Sequence, residues 1–403
     1  MKQRYYSLDV FRGATVALMI MVNNPGTWSS MFAPLKHAPW HGCTPTDLVF
    51  PFFLFAVGNA MSFVIPRLQE AGDAIFWRKV IKRTILIFLI GLGLNWFPFL
   101  QWIDGTLQFR EWVSSIDPSK GVRILGVLQR IAIAYFFASV LAYYFKPKSL
   151  IYISAAILLG YWAVCSWLGS DDPYSLTGWF GTEIDKSILG VAHMYKGEGI
   201  PFDPEGLMSV FPAIVQVVFG YLVGVFIKNQ GQVDWLWKKV PASNEAHFKL
   251  LSGLLVTGFI LVVLGWIWSL GFPINKKIWT SSYVLYTTGL AIMTIAGMVW
   301  YIEVQGVKNW LTKFFDVFGK NPLFIFVLSG LLPKATALIR IPNGFNDAGI
   351  QKFTTPFAWF YNNVCAQLPG PPEVGSFVYS LIFLAIMWVI VYFMDKKGIY
   401  VKV

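Results

Sequence analysis

Residues able to move a proton or an acyl group crowd the start of this chain. The stretch LKHAPWHGCTPTDLVFPFF (35–53) holds His37, His41 and Asp47, and the run VNN upstream supplies Asn23 and Asn24. An imidazole of ordinary pKa, about 6.5, takes a proton from an attacking amine or hydroxyl near neutrality, or attacks an acyl group itself. A carboxylate fixes the ring's tautomer and steadies the imidazolium, while an asparagine amide donates to a developing oxyanion. His37, Asp47 and Asn23 or Asn24 would make an acyl-transfer set. Asp47 has a second reading, because Thr44, Pro45 and Asp47 fit the N-cap, first and third positions of a helix, where a carboxylate accepts from free backbone N–H groups. His37 reads equally as a hydrogen-bonding loop residue. His41 follows it by four positions, but Pro39 and Gly42 argue for an irregular loop rather than a helical metal pair, so no metal is expected.

The elements that must position such a set are membrane helices. Of 403 residues, 56% are hydrophobic and only 13% charged, against roughly 25% charged in soluble domains. Apolar runs near the roughly 20 residues that cross hydrocarbon recur along the whole chain. The expected fold class is an all-α polytopic membrane protein, one transmembrane domain over residues 1–403. About ten spans are expected, at 8–26, 45–65, 79–97, 122–145, 149–168, 207–228, 248–270, 279–301, 317–339 and 374–394. The first carries Asp9 and Arg12 and lacks a small-residue cleavage site, so it reads as a span and not a signal peptide. Lys and Arg collect in alternate connections, among them IPRLQEAGDAIFWRKVIKR, FKPKS, KNQGQVDWLWKKVPASNEAHFK and the tail DKKGIYVKV. That bias puts both termini in the cytoplasm. The net charge of +11 is then a topology signal, with lipid headgroups or an anionic soluble cofactor as its partners and no nucleic acid implied.

Polar side chains in spans pair with one another or line wet cavities. Asn59, Arg12, Gln129 and Arg130 are such residues, and ion pairs of Arg12 with Asp9 or Arg130 with Asp47 are the structural alternative to ligand binding. On the opposite face, loop 169–206 is rich in Asp, Glu, Gly, Pro and aromatic residues, a mixture that suits polar or cationic ligands or a plain solvated loop. Asp203 and Glu205 in GIPFDPEG stand where they would receive the ammonium of an amino sugar or start a helix. Asn275, Lys276 and Lys277 in GFPINKKIW close the seventh span, and Asn321 in GKNPL serves the cytoplasmic entrance or a helix start. Cys43 and Cys365 both fall on the outer side and would pair if close enough, while Cys165 lies in a span. Zinc-like spacing, a phosphate-binding glycine loop, a G-x-S-x-G elbow and short internal repeats are all missing. Ten spans with polar breaks also fit a secondary transporter in which His37 and Asp47 relay protons.

Longer strings narrow the choice. YSLDVFRGATVALMIMVNNPG, LKHAPWHGCTPTDLVFPFFLFAVGNAMS, GVLQRIAIAYF, FDPEGLMSVFPAIVQVVFGYLVG, FPINKKIWTSSYVL and FGKNPLFIFVLSG occur in this order, from the first span to the ninth. The string K-H-A-x-W-x-G-x-T-x-x-D-L-V-F-P is far too long to arise from hydrophobic bias. The sequence resembles the heparan-alpha-glucosaminide N-acetyltransferase family of transmembrane enzymes. That resemblance implies acetyl transfer from cytoplasmic acetyl-CoA to the amine of glucosamine, or of a glucosamine-terminated saccharide, on the far side of the membrane. It matches His37 to the active histidine, Asn23 to the essential asparagine and Asp47 to the family's aspartate. Arg78, Lys79, Lys82 and Arg83, with Arg12, Gln129 and Arg130 deeper, are then the expected cofactor contacts, and Asn24, Asp203, Glu205 and Asn275 the expected acceptor contacts. The chain starts directly at the first core span, without the luminal domain and leading helix of lysosomal members. This points to a bacterial cytoplasmic (inner) membrane and to free or short amino sugars as well as a glycosaminoglycan end. Lysosomal members imply a homodimer. Acyl transfer to a cell-envelope glycan or a lipid-linked sugar stays open.

Overall fold

The computed structural model describes residues 5–103, 105–230, 245–345, 347 and 349–401. In chain order the helices are α1 (Tyr6–Asn23), α2 (Val49–Ala71), α3 (Asp73–Trp96), α4 (Val127–Tyr144), α5 (Pro147–Leu168), α6 (Gly181–Leu189), α7 (Val210–Lys228), α8 (Glu245–Trp268), α9 (Ser281–Val299), α10 (Trp310–Lys320), α11 (Pro322–Thr336), α12 (Pro356–Asn363) and α13 (Pro372–Lys396). Two short antiparallel hairpins interrupt them, β1 (Leu100–Ile103) with β2 (Thr106–Phe109), and β3 (Ile341–Phe345) with β4 (Gln351–Thr354).

A helix occupies each of the ten expected segments, yet seven are long and apolar enough to cross a membrane by those criteria: the ones in α2, α4, α5, α7, α8, α9 and α13. α1 and α3 fall outside that group. The physical reason is charge, since α1 carries Asp9 and Arg12 and α3 opens with Asp73, Arg78, Lys79, Lys82 and Arg83. The expected single span at 317–339 is instead a pair, α10 and α11, bent by 82° at Asn321. Pro322 at the first position of α11 has no N–H to continue the α10 ladder, and its ring disfavours helical backbone at Asn321. Much of the basic connection at 228–249 lies outside the described residues.

α2, α4, α7 and α9 form the centre, each burying more than half of its apolar window, while α5, α8 and α13 bury less than a third and lie at the periphery. Glycine lets the central backbones touch. A Cβ on Gly58 of α2 would sit 2.0 Å from the Val217 carbonyl oxygen, and one on Gly220 of α7 would sit 2.1 Å from that of Phe55. Such small-residue contacts bring helices together where apolar burial alone gives no preference over lipid. α1 meets α10 in the same way, with Gly319 against the Asp9 carbonyl. The start of α1 is capped from far along the chain, because the Ser7 N–H and hydroxyl both donate to Glu303 Oε1, at 2.9 and 3.1 Å.

Candidate active site

The loop from Asn24 to Thr44 returns the chain from α1 to α2, and Asp47 sits in the turn Pro45–Leu48 that starts the span containing α2. Asp47 is 1% exposed, and both its oxygens are used. Oδ2 accepts from the N–H groups of Thr44 and Ala38 and from the Thr44 hydroxyl, all at 3.0 Å. Oδ1 lies 2.6 Å from His37 Nδ1. Helix capping and histidine orientation, alternatives in the sequence, are carried by one carboxylate. A carboxylate with its second oxygen held by three donors cannot swing, so the His37 ring is held as well. An Nδ1–H donating to Asp47 leaves the lone pair on Nε2, where no hydrogen-bond partner occurs among the described residues. The His37 side chain is 40% exposed, reachable by a solute.

A lysine joins the pair. Lys276 Nζ lies 3.5 Å from Asp47 Oδ1 and 3.1 Å from His37 Nδ1. Burial pushes the Lys276 ammonium below its usual range, against the pull of Asp47 and Glu205. The loop that carries it is shaped by Asn275, fully buried, whose Oδ1 accepts from the N–H groups of Lys277 and Ile278 at 2.7 and 3.2 Å. Four residues after Asn275, Trp279 takes a left-handed backbone (φ 50°), a strained conformation for a bulky residue. Its ring is thereby set between Arg130, whose Cζ is 5.0 Å from the ring centroid, and the cavity in front of His37.

That cavity has a volume of about 220 Å³ and is lined by His37, Asp47 and Lys276 on one side and by Trp40, Arg123, Tyr195, Glu198 and Glu205 on the other. Its outer wall is an ion-pair network. Arg123 Nε and Nη2 donate to the two oxygens of the fully buried Asp203 at 2.9 and 2.5 Å, and Nη2 also meets Glu205 Oε2. Burial alone would raise the Glu205 carboxyl, but Arg123 and Arg130 outweigh it and hold the group below its usual range. Lys277 bonds Glu198 at 2.5 Å and the Pro39 carbonyl at 2.7 Å, tying the acidic segment to the histidine loop. Below the network, Asp185 of α6 accepts from the Leu207 N–H at 2.9 Å through Oδ1, while its buried Oδ2 has no partner. Burial pushes its carboxyl up to about 7 from 3.8. The folded protein therefore keeps a proton that the unfolded chain releases, and stability falls as pH rises from about 3.8 through about 7. Asp185→Asn should raise the Tm relative to the wild type at pH 8 and give much less gain at pH 5. An equal effect at both values would show that Asp185 is ionised throughout.

Not every expected residue gathers here. Glu205 lines the cavity, whereas Asp203 and Asn275 stand behind its walls as ion-pair partner and loop scaffold. Asn23 is exposed at the end of α1, and Asn24 donates to the Ile20 carbonyl at 2.8 Å; neither is among the lining residues. Arg130 does not pair with Asp47: it is 1% exposed, donates to Ser209 Oγ and the Gly206 carbonyl, and leaves Nε and Nη1 without partners. Gln129 donates to the Ile124 carbonyl at 2.8 Å. The three cysteines are all free thiols. Burial pushes Cys43, beside Asp47, up to about 12, which removes it as a thiolate nucleophile near neutrality. Among the described residues no cluster of His, Cys, Asp and Glu has the grouping that holds a metal ion.

Two further cavities open below. A space of about 110 Å³ lies among Phe53, Met61, Arg83, Leu128, Tyr135 and Pro322, and a larger one of about 640 Å³ is lined by Arg12, Asn59, Arg67, Glu70 and Lys228. The two share Arg12, Ala56 and Ala60. Adjacent residues of α4 link the levels, Val127 in the outer cavity and Leu128 in the middle one. Arg12 is bound to Asp9 at 2.6 Å and to the Gly319 carbonyl at 2.9 Å, so its expected ion pair and its place at a cavity coexist. Arg83 faces the middle cavity, but Arg78, Lys79 and Lys82 are exposed and line none of these three spaces. Arg67, Lys228, Arg123, Tyr195 and Glu198 join these cavities from outside the motifs that the sequence offers. For Arg123 a signal exists: a lone arginine just before a span, opposite the acidic FDPEG.

Residues 4–255 match the family described as "Heparan-alpha-glucosaminide N-acetyltransferase, catalytic". The chain is similar to the human heparan-alpha-glucosaminide N-acetyltransferase, at 26% identity over 373 residues, covering 80% of this chain and 52% of the relative. Against the mouse protein of the same name the figures are 25% over 376 residues, 80% and 53%. The chain thus spans about half the length of these relatives. His37 and Asp47 lie inside the matched region and Lys276 lies beyond it. A match over more than half of the chain, containing the oriented histidine, places this protein in the heparan-alpha-glucosaminide N-acetyltransferase family.

Proposed function

We propose that this protein is a transmembrane N-acetyltransferase that moves acetyl from acetyl-CoA, entering from the cytoplasm, to the amine of glucosamine or a glucosamine-terminated saccharide at the outer side. The reading also places both termini in the cytoplasm and the chain in a bacterial inner membrane. The observation that carries it is His37 held through Nδ1 by Asp47 at 2.6 Å, with Nε2 left open beside a cavity of about 220 Å³. In direct transfer the amine nitrogen attacks the thioester carbonyl, the C–N bond forms and the C–S bond breaks. Nε2 accepts the amine proton and passes it to the departing thiolate. In the alternative route Nε2 attacks the thioester carbonyl and the C–S bond breaks to release the thiolate. The amine then attacks the acetyl-histidine, its C–N bond forms as the bond to Nε2 breaks, and the freed Nε2 takes the amine proton and passes it to the thiolate. Trp40 offers an apolar face to a sugar ring, and the lining mixes the carboxylates Asp47, Glu198 and Glu205 with the cations Arg123, Lys276 and Lys277, so that sugar hydroxyls and an amine find both acceptors and donors.

The donor fits the inner cavity. Asn59 is 3% exposed, and both its amide nitrogen and its oxygen lack partners. One donor and one acceptor together complement an amide, such as those of pantetheine. Arg67 and Lys228 at the same cavity supply charge for phosphates, in place of the exposed Arg78, Lys79 and Lys82. Asn59 lies roughly 18 Å along the helix from Asp47, at 1.5 Å per residue, a distance for an extended arm to cover.

Purified protein reconstituted in liposomes should acetylate glucosamine only when acetyl-CoA is supplied. Solute flux without CoA, and no acetylation, would instead support a transporter. Asn59→Leu should raise the KM for acetyl-CoA about tenfold, the size of one lost buried polar pairing, with the KM for glucosamine unchanged. An unaltered KM for acetyl-CoA would remove the inner cavity from donor binding.

A further inference from the structure

A groove between α5 and α8 takes no part in this chemistry. Its volume is about 530 Å³, and its floor is built by α7 and α9 through residues such as Leu222, Phe226 and Ile292. At one end Trp268 lines the groove, its ring edge-on to Trp162 with centroids 5.7 Å apart. At the other end it opens beside Pro147 and Gly253. Lys146 and Lys148 flank Pro147, and Lys249 lies one helical turn before Gly253. No carboxylate among the described residues pairs with any of the three lysines. On both flanks the helices are apolar and exposed, at Ile151 and Leu159 of α5 and at Leu255, Val256 and Phe259 of α8.

We infer that this groove holds an acyl chain of an anionic phospholipid, whose headgroup is met by Lys146, Lys148 and Lys249. The inference stands apart from the acetyl-transfer reading. An apolar channel on the periphery of a membrane domain offers water no partners, and only hydrocarbon matches its walls. The occupant's headgroup is set by the mouth: three cations with no paired carboxylate among the described residues favour a net negative phospholipid over a zwitterionic one, by about fivefold for each lysine near the surface. With the bulky Trp268 at the far end and the lysines at the mouth, the chain lies along the groove and its headgroup stays at the lysine end.

Protein purified in detergent would be equilibrated with equimolar phosphatidylglycerol and phosphatidylcholine and examined by native mass spectrometry. Phosphatidylglycerol should be retained at least tenfold over phosphatidylcholine. A phosphatidylglycerol carrying a diazirine at the end of its acyl chain should cross-link to residues of the groove such as Leu222 and Leu261. The triple variant K146Q/K148Q/K249Q should lose the preference between headgroups, and Ala155→Trp, which fills the slot, should lose retention of both lipids. Circular dichroism confirms that each variant is folded. Equal retention of the two lipids by the wild type, a preference that survives the triple substitution, or cross-links mapping elsewhere would overturn the inference. So would disulfide cross-linking of two Ala155→Cys chains, which would show a second copy of the protein in the groove.

Discussion

His37→Ala should lose acetyl transfer to glucosamine by roughly 10²- to 10⁴-fold, the range for removal of a positioned general base. The side chain is on an exposed loop and 40% accessible, so its truncation opens no cavity in the core, and the variant should keep the wild-type Tm. Asp47→Asn separates two roles that share one side chain. An asparagine whose carbonyl oxygen takes the place of Oδ2 keeps both backbone donors, Ala38 and Thr44, but its amide NH2 then faces His37, disfavours a proton on Nδ1 and moves the lone pair to the wrong nitrogen. A loss comparable to that of His37→Ala, with a smaller change in stability than Asp47→Ala, is the expected pattern. Rapid quench and mass spectrometry on the wild type would then separate direct transfer from an acetyl-histidine. Normal turnover by purified His37→Ala would remove the imidazole from the mechanism altogether.

The largest effect on folding is expected from Gly58→Val. Any Cβ here would lie 2.0 Å from the Val217 carbonyl and 2.6 Å from the Tyr221 nitrogen, both backbone atoms that cannot yield without separating α2 from α7. Overpacking in a rigid core costs about 1–3 kcal/mol when side chains can move, and here they are not the obstacle. The variant should aggregate on extraction, as read by size-exclusion chromatography in detergent. Gly93→Ala in α3 is the control, because a Cβ there meets nothing within 4 Å. If Gly58→Val were monodisperse with an unchanged Tm, α2 and α7 would not be packed at backbone distance.

The two predictions rest on parts of the molecule that were unequally legible. The His37–Asp47 pairing is local, ten residues apart, and the Thr-Pro-x-Asp turn that brings the carboxylate round is written in the sequence. Helices were readable from apolar runs, although periodicity does not report that Pro322 breaks one run by 82°. The rest of the site is assembled across the chain. Lys276 reaches His37 over 239 positions and Arg123 reaches Asp203 over 80, and neither partnership leaves a trace in spacing. The basic run of α3 shows the limit in the other direction: Arg78 to Arg83 are neighbours in sequence, but the helical turn sends Arg83 to a cavity and leaves Arg78, Lys79 and Lys82 outside.

The bond from Arg12 to the Gly319 carbonyl spans 307 positions. During synthesis at about 5–20 residues per second, the first helix to emerge therefore waits tens of seconds for the segment against which it docks. Asp9 lies three residues from Arg12 in the same helix, so this counter-charge is available before α10 has been made. Asp9→Ala would take away that early counter-charge and leave the bond to the Gly319 carbonyl to form later.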